Sequence, residues 1–546
     1  MSEPTVGELL LARAGDDRTG LRFEGASWTW DEHVRASAQR AAWLAGSRRP
    51  GPFHVGVLLD NVPEFSLMLG AAALGGSTVV GLNRTRRGAE LARDIWHTDC
   101  QVVLTEERYL PLLDGVPGLP PVVTIDGSAY PKLLAEHEGA PIPDRLPPAD
   151  ALFMLIFTSG TTGAPKAVRC TQGTVGLRAA RMAVTTGMTT QDTVYIAMPM
   201  FHSNSIVAGW GPALAGGATM VLKRRFSASE FVDDVRAYGV TYTNYVGKPL
   251  SYILATPPGP DDADNPLRLA YGNEASEHDI AEFARRFDTE VVDAFGSTEG
   301  GARFYRTPET PSGSLGLARG DVRIVDPDTV AERPRAVFDA GGRLRNPLEA
   351  VGEIVNFDGP GTFEGYYNND EATALRLRDG RYHSGDLGYR DEAGFFYFAG
   401  RSQEWLRVDG ENLAVAPIER VLARHPDVVL AAVYAVPDPV AGDQVMTALV
   451  LHEGRPFDPE GFAAWFAVQP DTGTKWAPAF VRVAERLPQT ATNKVVKATL
   501  AMQRWNCADP VWWCPPRSAG YRRLEAADVE AIRARFAAHG RERLLT

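Results

Sequence analysis

Five short stretches of the chain bring together residue types able to hold phosphate, a hard cation and a ribose. The first is FTSGTTGAPKAV (157–168), in which an apolar run, MLIF, leads into glycines, hydroxyls, a proline and a lysine. Small residues let backbone amides approach an anion, Thr158, Ser159, Thr161 and Thr162 add hydroxyl donors, and Lys166 adds a point charge on a flexible stem. The spacing is not that of the common G-x-x-x-x-G-K-[ST] loop, because Ala164 and Pro165 separate Gly163 from the lysine.

The second stretch, AFGSTEGG (294–301), follows a strand-like EVVD, so its loop belongs at a strand's C-terminal end, where α/β sheets take ligands. Phe295 offers an aromatic face, Thr298 a hydroxyl, and Glu299 a hard oxygen ligand of the kind Mg²⁺ prefers. The third, YHSGDLG (382–388), sets Asp386 in a glycine-flanked turn, where a carboxylate could accept both hydroxyls of a ribose. The fourth, AGRSQEWLRVDGENLAVAPIE (399–419), holds Arg401, and the fifth, LPQTATNKVVKATL (487–500), holds Lys494 in a Thr/Asn loop that opens a helix. Taken singly, each of these is a common turn or surface charge; the set is what carries information.

The elements that must position them read as an α/β core. HVGVLLD (54–60), STVVGL and CQVVLT are strand-like, and PEFSLMLGAAALGG (63–76) and RGAELARDIWH are helix-like. PLRLAYG (266–272), EHDIAEFARRF and EVVDAFG repeat the alternation, which argues for parallel βαβ units. Pro/Gly-rich stretches at 111–148 and 256–266 are expected to be surface connections. From Gly352 the texture becomes short strands and turns, which predicts an antiparallel, barrel-like module. A smaller α/β piece follows a boundary at 402–404.

Composition removes several classes of function. The 546 residues, 44% hydrophobic and 23% charged, suit a globular chain of about three to four domain-sized units. A formal net charge of −12 argues against nucleic-acid partners, whose affinity comes from neutralising phosphates. Cys100, Cys170, Cys507 and Cys514 form no CxxC pair and no metal-ligand spacing, as expected of a reducing cytoplasm. MSEPTVGELLLARAGDD lacks the basic start and apolar core of a secretion signal, and no run of eighteen apolar residues occurs, so no integral membrane anchor is expected.

In this order and at these spacings, the five stretches resemble the adenylate-forming (AMP-binding) superfamily of acyl-CoA ligases, adenylation domains and luciferases, from about Phe23 to Leu500. LKRRFSASEFVDDVRAYGVTYTNYVG (222–247) and LRLAYGNEASEHDIAEFARRF (267–287) are most similar to the fatty-acid-transport-protein and long-chain acyl-CoA synthetase branch. The resemblance implies an N-terminal domain over 1–402, made of parallel α/β sheets plus a distorted β-barrel. It also implies a small mobile α+β C-terminal domain over 403–546, with a tail at 505–546.

The resemblance also implies roles. The loop residues Thr158, Ser159, Gly160, Thr161, Thr162, Gly163 and Lys166 would hold the β- and γ-phosphates of ATP, with Lys166 on the pyrophosphate side. Phe295 and Gly296 would lie against adenine, bordered by Gly272, Asn273 and Asp293. Thr298 would touch the α-phosphate, Glu299 would bind Mg²⁺, Asp386 would take the ribose with Arg401 beside it, and Lys494 would reach the oxygens joining carboxylate to α-phosphate. Prepositioned charge of that kind stabilises the oxyanions that develop as the carboxylate displaces pyrophosphate. A thiol, CoA in most relatives, then releases AMP. Relatives do both steps at one site by rotating the C-terminal domain, which would swing Lys494 out and bring Gly410 in to line the acceptor tunnel, about a hinge at Gln403. His202, Trp210, Tyr245 and Glu274 would bound the acid pocket.

Departures from the family pattern leave a second chemistry open. Gln403 stands where Asp or Lys is common, Ala167 and Asn493 replace frequent glycines, and Glu274 stands where many relatives have a small residue. The leading expectation is an ATP- and Mg²⁺-dependent acyl-CoA ligase for a fatty or related acid. The alternative is an adenylating enzyme for another acid, including a small oxyacid such as nitrite, with an amine or carrier protein as acceptor. A lipid-binding protein with a dead ligase fold is disfavoured by the presence of Lys166, Glu299, Asp386, Arg401 and Lys494. The basic runs Arg84, Arg86, Arg87 and Lys223, Arg224, Arg225 are expected to be solvated faces, and the Trp-Pro tail to pack on the small domain.

Overall fold

The structure is a computed structural model. It describes residues 3–158, 166–339, 344–401, 405–408, 411–440, 442–469, 472, 475–490, 495–516, 518 and 520–545. The chain divides into two compact units, one of residues 1–274, 282–301 and 362–375, the other of 275–281, 302–361 and 376–546.

The first unit holds two mostly parallel sheets. One runs Val122–Thr124, Cys100–Thr105, His54–Leu58, Thr78–Gly81, Leu152–Thr158, Lys166–Thr171. The other runs Glu290–Asp293, Leu269–Asn273, Tyr242–Val246, Thr193–Ile196, Thr219–Leu222, Thr19–Phe23, Ala26–Thr29. Parallel strands are covered on both faces, which is why His54–Leu58 and Thr78–Gly81 are buried throughout. Helix Pro63–Gly75 is apolar on every side and buries eleven consecutive residues, as an interior helix must; Pro63 opens it and Gly76, in left-handed backbone, ends it. Glu277–Phe287, by contrast, buries only Phe283 and Phe287.

In the second unit, antiparallel strands Phe304–Tyr305, Ser314–Ala318, Phe396–Arg401, Arg381–Arg390, Gly352–Asn356 and Val322–Val325 form one sheet, with Leu377–Arg378 attached to Arg381–Arg390. This module begins near Phe304 rather than at Gly352, because the strands before Gly352 are short and their apolar alternation is interrupted by Gly313, Gly316 and Gly320. A five-stranded sheet, Val428–Pro437, Asp443–Leu451, Phe480–Val483, Val511–Trp513 and Arg522–Arg523, packs against Val415–Leu422 and Pro459–Ala467 around Ile418, Leu422, Val433 and Phe462.

The tail is a structural part of that sheet. Val511–Trp513 pairs with Phe480–Val483, Trp513 stacks on Phe480 at 6.4 Å and Trp512 meets Phe457 at 4.8 Å. The stretch 111–148, expected to be pure connection, contains the short strand Val122–Thr124 and helix Ala129–Ala135.

Candidate active site

The two flanks of the first motif are directly opposed. Thr158 ends one strand, Lys166 begins the next, and the two face each other in an antiparallel ladder. A strand–loop–helix phosphate loop would instead run into a helix. Ser159, Gly160, Thr161, Thr162 and Gly163 lie outside the described residues, as do Gln403, Gly410 and Lys494.

The second motif is a tight turn held from several sides. Ser297 Oγ accepts from the Gly300 amide at 3.0 Å, and Gly300 has φ +66°, a conformation open to glycine. Arg178, on helix Gln172–Thr185, donates to the carbonyls of Thr298 (3.2 Å) and Ser297 (3.4 Å). Ser203 Oγ shares a 2.9 Å hydrogen bond with Thr298 Oγ1, and Thr362 Oγ1 donates to the Gly300 carbonyl at 3.0 Å. Tyr366 donates its hydroxyl to Glu299 Oε1 at 2.9 Å, and the Lys166 ammonium lies 5.3 Å from the centre of the Tyr366 ring. Lys166 and Glu299 thus share Tyr366, and Thr298 precedes Glu299 on the same turn.

Three neighbouring parallel strands supply the next group. Tyr245, Gly272 and Asp293 are register partners at the strands' C-terminal ends, and Asn273 follows one position on. Tyr245 is buried and donates to Asp293 Oδ2 at 3.0 Å. Phe295 is half-buried and Gly296 exposed.

Among the other expected pocket residues, His202 is packed on Phe201, ring centres 4.7 Å apart, and its Nε2 is buried without a hydrogen-bond partner among the described residues. Burial pushes its pKa down to about 4, so the imidazole is neutral near pH 7. Asn204 donates to the Tyr245 carbonyl (3.1 Å) and accepts from Asn244 (2.6 Å). Trp210 differs from its expectation as a pocket wall. It is wholly buried at the end of a π-helical turn, Ile206–Trp210, stacked on Phe153, with its indole N–H donated to Ser66. Glu274 is exposed and held at φ +67°, rare for a side chain with a Cβ.

In the second unit Asp386 is 8% exposed and sits within the strand Arg381–Arg390, opposite Arg401, rather than in a free turn. The glycine before it supplies the kink: Gly385 has φ +69° and donates to Glu353, whose other oxygen contacts His383 Nδ1 at 2.9 Å, while the Asp386 amide donates to Ser384 Oγ. Four of the six basic residues expected on solvated faces pair with acids, while Arg87 donates to the Arg84 and Arg86 carbonyls. Arg84 and Arg224 reach the fully buried Asp60 carboxylate, Arg86 pairs with Asp94 (2.9 Å), and Lys223 pairs with Asp234 and Glu230 (each 2.7 Å).

The sequence motifs do not include Arg178, Ser203, Thr362 or Tyr366. Arg178 had a readable signal: it stands three residues after Val175 and one before Ala179, both buried, so an arginine borders the apolar stripe of its helix. Tyr366 and Thr362 are distant in sequence from the turn they hold and carry no such mark.

Among the described residues no cluster of three or more His, Cys, Asp or Glu side chains could hold a metal ion. A single carboxylate fits Mg²⁺ brought in on a triphosphate, since that ion keeps waters and phosphate oxygens and needs only one or two protein ligands.

Residues 11–367 match the model of the AMP-binding enzyme family, and 417–494 match the AMP-binding enzyme C-terminal domain. The chain is 49% identical over 551 residues to the steroid-22-oyl-CoA synthetase of Rhodococcus jostii (strain RHA1), covering 100% of this chain and 99% of that one. It is 50% identical over 513 residues to the medium/long-chain-fatty-acid–CoA ligase FadD17 of Mycobacterium marinum, covering 94% and 98%. The o-succinylbenzoate CoA synthetase (MenE) of Bacillus subtilis, solved with its acyl-adenylate intermediate OSB-AMP, superposes with a TM-score of 0.73 at 27% identity, covering 90% of this chain and 97% of that one. The fold, the arrangement of the Ser297–Gly300 turn and these matches together make the chain a member of the AMP-binding, adenylate-forming enzyme family.

Proposed function

We propose that the chain is an ATP-dependent acid–CoA ligase acting on a carboxylic acid with a large apolar skeleton. The observation that carries this reading is the braced Ser297–Gly300 turn, which offers a hydroxyl and a carboxylate, with Tyr366 in contact with both that carboxylate and the Lys166 ammonium. The names of the two full-length relatives, one a steroid-22-oyl-CoA synthetase and one a fatty-acid–CoA ligase, support the acid class and CoA as acceptor.

In the first step a substrate carboxylate oxygen attacks the α-phosphorus of ATP, the bond to the β-phosphate oxygen breaks, and pyrophosphate leaves. Thr298 Oγ1, fixed by Ser203, donates toward the α-phosphate, and Lys166 draws the pyrophosphate charge. Glu299 would hold Mg²⁺, which when bound would neutralise charge on the phosphate oxygens. Phe295 lies on adenine, Asp293 borders it with Tyr245 holding its carboxylate, and Asp386 takes the ribose hydroxyls. Lys494, in the C-terminal segment 403–546, supplies charge to the bridging oxygens. In the second step the CoA sulfur attacks the acyl carbon, the mixed anhydride breaks, and AMP leaves. Preorganised donors of this kind are worth several kcal/mol of barrier.

No helix among the described residues is long and apolar enough to cross a membrane. The four unpaired cysteines suit the reducing cytoplasm we propose for it.

The test is isotope exchange between pyrophosphate and ATP with a panel of steroid-side-chain acids and fatty acids, followed by AMP and thioester analysis once CoA is added. Exchange with at least one acid of this class, then a CoA thioester, is expected. No exchange with any acid, in protein that binds ATP, overturns the reading.

A further inference from the structure

Tyr366 belongs to none of the five motifs, yet it touches two of the charged groups they contribute. It is 3% exposed, its hydroxyl donates to Glu299 Oε1 at 2.9 Å, and the Lys166 ammonium lies 5.3 Å from its ring centre. The backbone around it is fastened to the strand that Lys166 begins. Tyr366 forms an antiparallel bridge with Val168, the Arg169 amide donates to the Gly365 carbonyl (3.1 Å), and the Tyr367 amide donates to the Ala167 carbonyl (2.8 Å). Thr373 Oγ1 accepts from the Tyr366 amide at 2.9 Å, and Phe363 meets the ring edge-on at 5.0 Å. The phenol therefore has little freedom to turn.

We infer that Tyr366 is a positioning residue that aims the Glu299 carboxylate at the cation of the bound nucleotide and, through its ring, holds Lys166 at the pyrophosphate end. The inference rests on the nucleotide-binding reading given above. A donor on one carboxylate oxygen sets the carboxylate plane, and so the direction of the other oxygen; a hydrogen bond to a charged group is strong enough to hold that plane. An ammonium over an aromatic face is held loosely by comparison, so Lys166 can follow its phosphate without leaving the ring. The two halves of the tyrosine thus do separable jobs: the oxygen serves the cation and the ring serves the phosphate.

The separation gives the test. Calorimetric titration of a non-hydrolysable ATP analogue is run with Mg²⁺ and with EDTA, on wild type, Tyr366→Phe, Tyr366→Leu and Glu299→Gln. The Mg²⁺ concentration for half-maximal pyrophosphate exchange is measured alongside. Wild type should bind more tightly with Mg²⁺. Tyr366→Phe should cut that magnesium-dependent gain by about ten- to a hundredfold, the worth of one hydrogen bond to a charged group, and raise the half-maximal Mg²⁺ concentration to match. Its affinity in EDTA should stay within about twofold of wild type. Tyr366→Leu should lose affinity in EDTA as well; should it fail to fold, Lys166→Met tests the same arm. Glu299→Gln should abolish the magnesium-dependent gain, and its retention there overturns the inference however Tyr366→Phe folds. Tyr366→Phe with an unchanged gain, or with equal loss in Mg²⁺ and EDTA, also overturns it. A wild type that binds no nucleotide at all sinks the functional reading instead.

Discussion

Tyr245 reaches across Gly272 to donate its hydroxyl to Asp293, two strands away in the same parallel sheet, at 3.0 Å. The crossing requires a glycine in between: a Cβ at Gly272 would stand 2.3 Å from the Tyr245 carbonyl oxygen and 2.5 Å from its ring. Both neighbours belong to a central strand and a buried ring, so neither can give way cheaply. Gly272→Ala should therefore lower the melting temperature and remove ATP binding together, as scanning fluorimetry with and without nucleotide would show. An overpacking cost of about 1 to 3 kcal/mol is the expected scale.

Removing the Tyr245 hydroxyl alone asks a narrower question. Tyr245→Phe keeps the ring over Gly272 and removes one hydrogen bond from the Asp293 carboxylate. KM for ATP should rise about three- to tenfold, the scale of a lost hydrogen bond, with kcat for pyrophosphate exchange nearly unchanged. A fall in kcat with KM intact would mean that the pair serves the reacting centre rather than the base.

Arg178 donates to two successive carbonyls of the Ser297–Gly300 turn, and no neutral side chain of similar length can do both. Arg178→Met should reduce kcat for pyrophosphate exchange by at least about tenfold through loss of the turn's geometry. Arg178→Lys, with one centre of charge in place of a fork, should recover only part of it. Steady-state kinetics of the two variants beside wild type decide this.

The candidate site is legible in the sequence where the residues that could do its chemistry stand close together along the chain. Glycine, hydroxyl and lysine spacing marks a phosphate loop, and Phe295, Thr298 and Glu299 stand within five residues of one another. What holds those residues is not local. Ser203, Thr362 and Tyr366 reach the turn from other parts of the chain, and only the folded chain brings them together. Trp210, which the resemblance sets at the acid pocket, is wholly buried, its indole on Ser66 and Phe153, and only the folded chain shows those partners. The antiparallel module was placed some fifty residues late because its first strands are short and glycine-rich, so their alternation is weak. Asp386 was read as a turn residue from its glycines, whereas Gly385 only kinks a continuous ten-residue strand.

The neutral state of His202 makes acid sensitivity measurable. Its folded pKa, near 4, lies below the 6.5 of the free side chain, so the unfolded chain binds more protons between those values. Stability from this residue is complete above about pH 6.5 and is lost as the pH falls toward 4. Near pH 5 the loss should be about 1 to 2 kcal/mol. Urea unfolding at pH 7 and pH 5 should show a smaller drop for His202→Gln than for wild type; equal drops would contradict it.

The adenylation step should depend on Lys494 far more than the thioester step. Lys494→Ala should depress pyrophosphate exchange at least about a hundredfold, as loss of a charge aimed at developing oxyanions does, while thioester formation from a supplied acyl-adenylate persists. Equal loss of both halves would assign the lysine to a shared step.

Val511–Trp513 closes one side of Phe480–Val483 in the five-stranded sheet, and Arg522–Arg523 pairs in turn with the Trp512–Trp513 stretch. Expression fragments that stop soon after residue 500, a natural choice for anyone trimming to the sequence motifs, would leave Phe480–Val483 with a bare row of amides and carbonyls beside an uncovered Phe480. Such an open border recruits other chains, so shortened versions of this protein should come out of cells as aggregates, and insolubility there would say nothing about whether the ligase site had been built correctly.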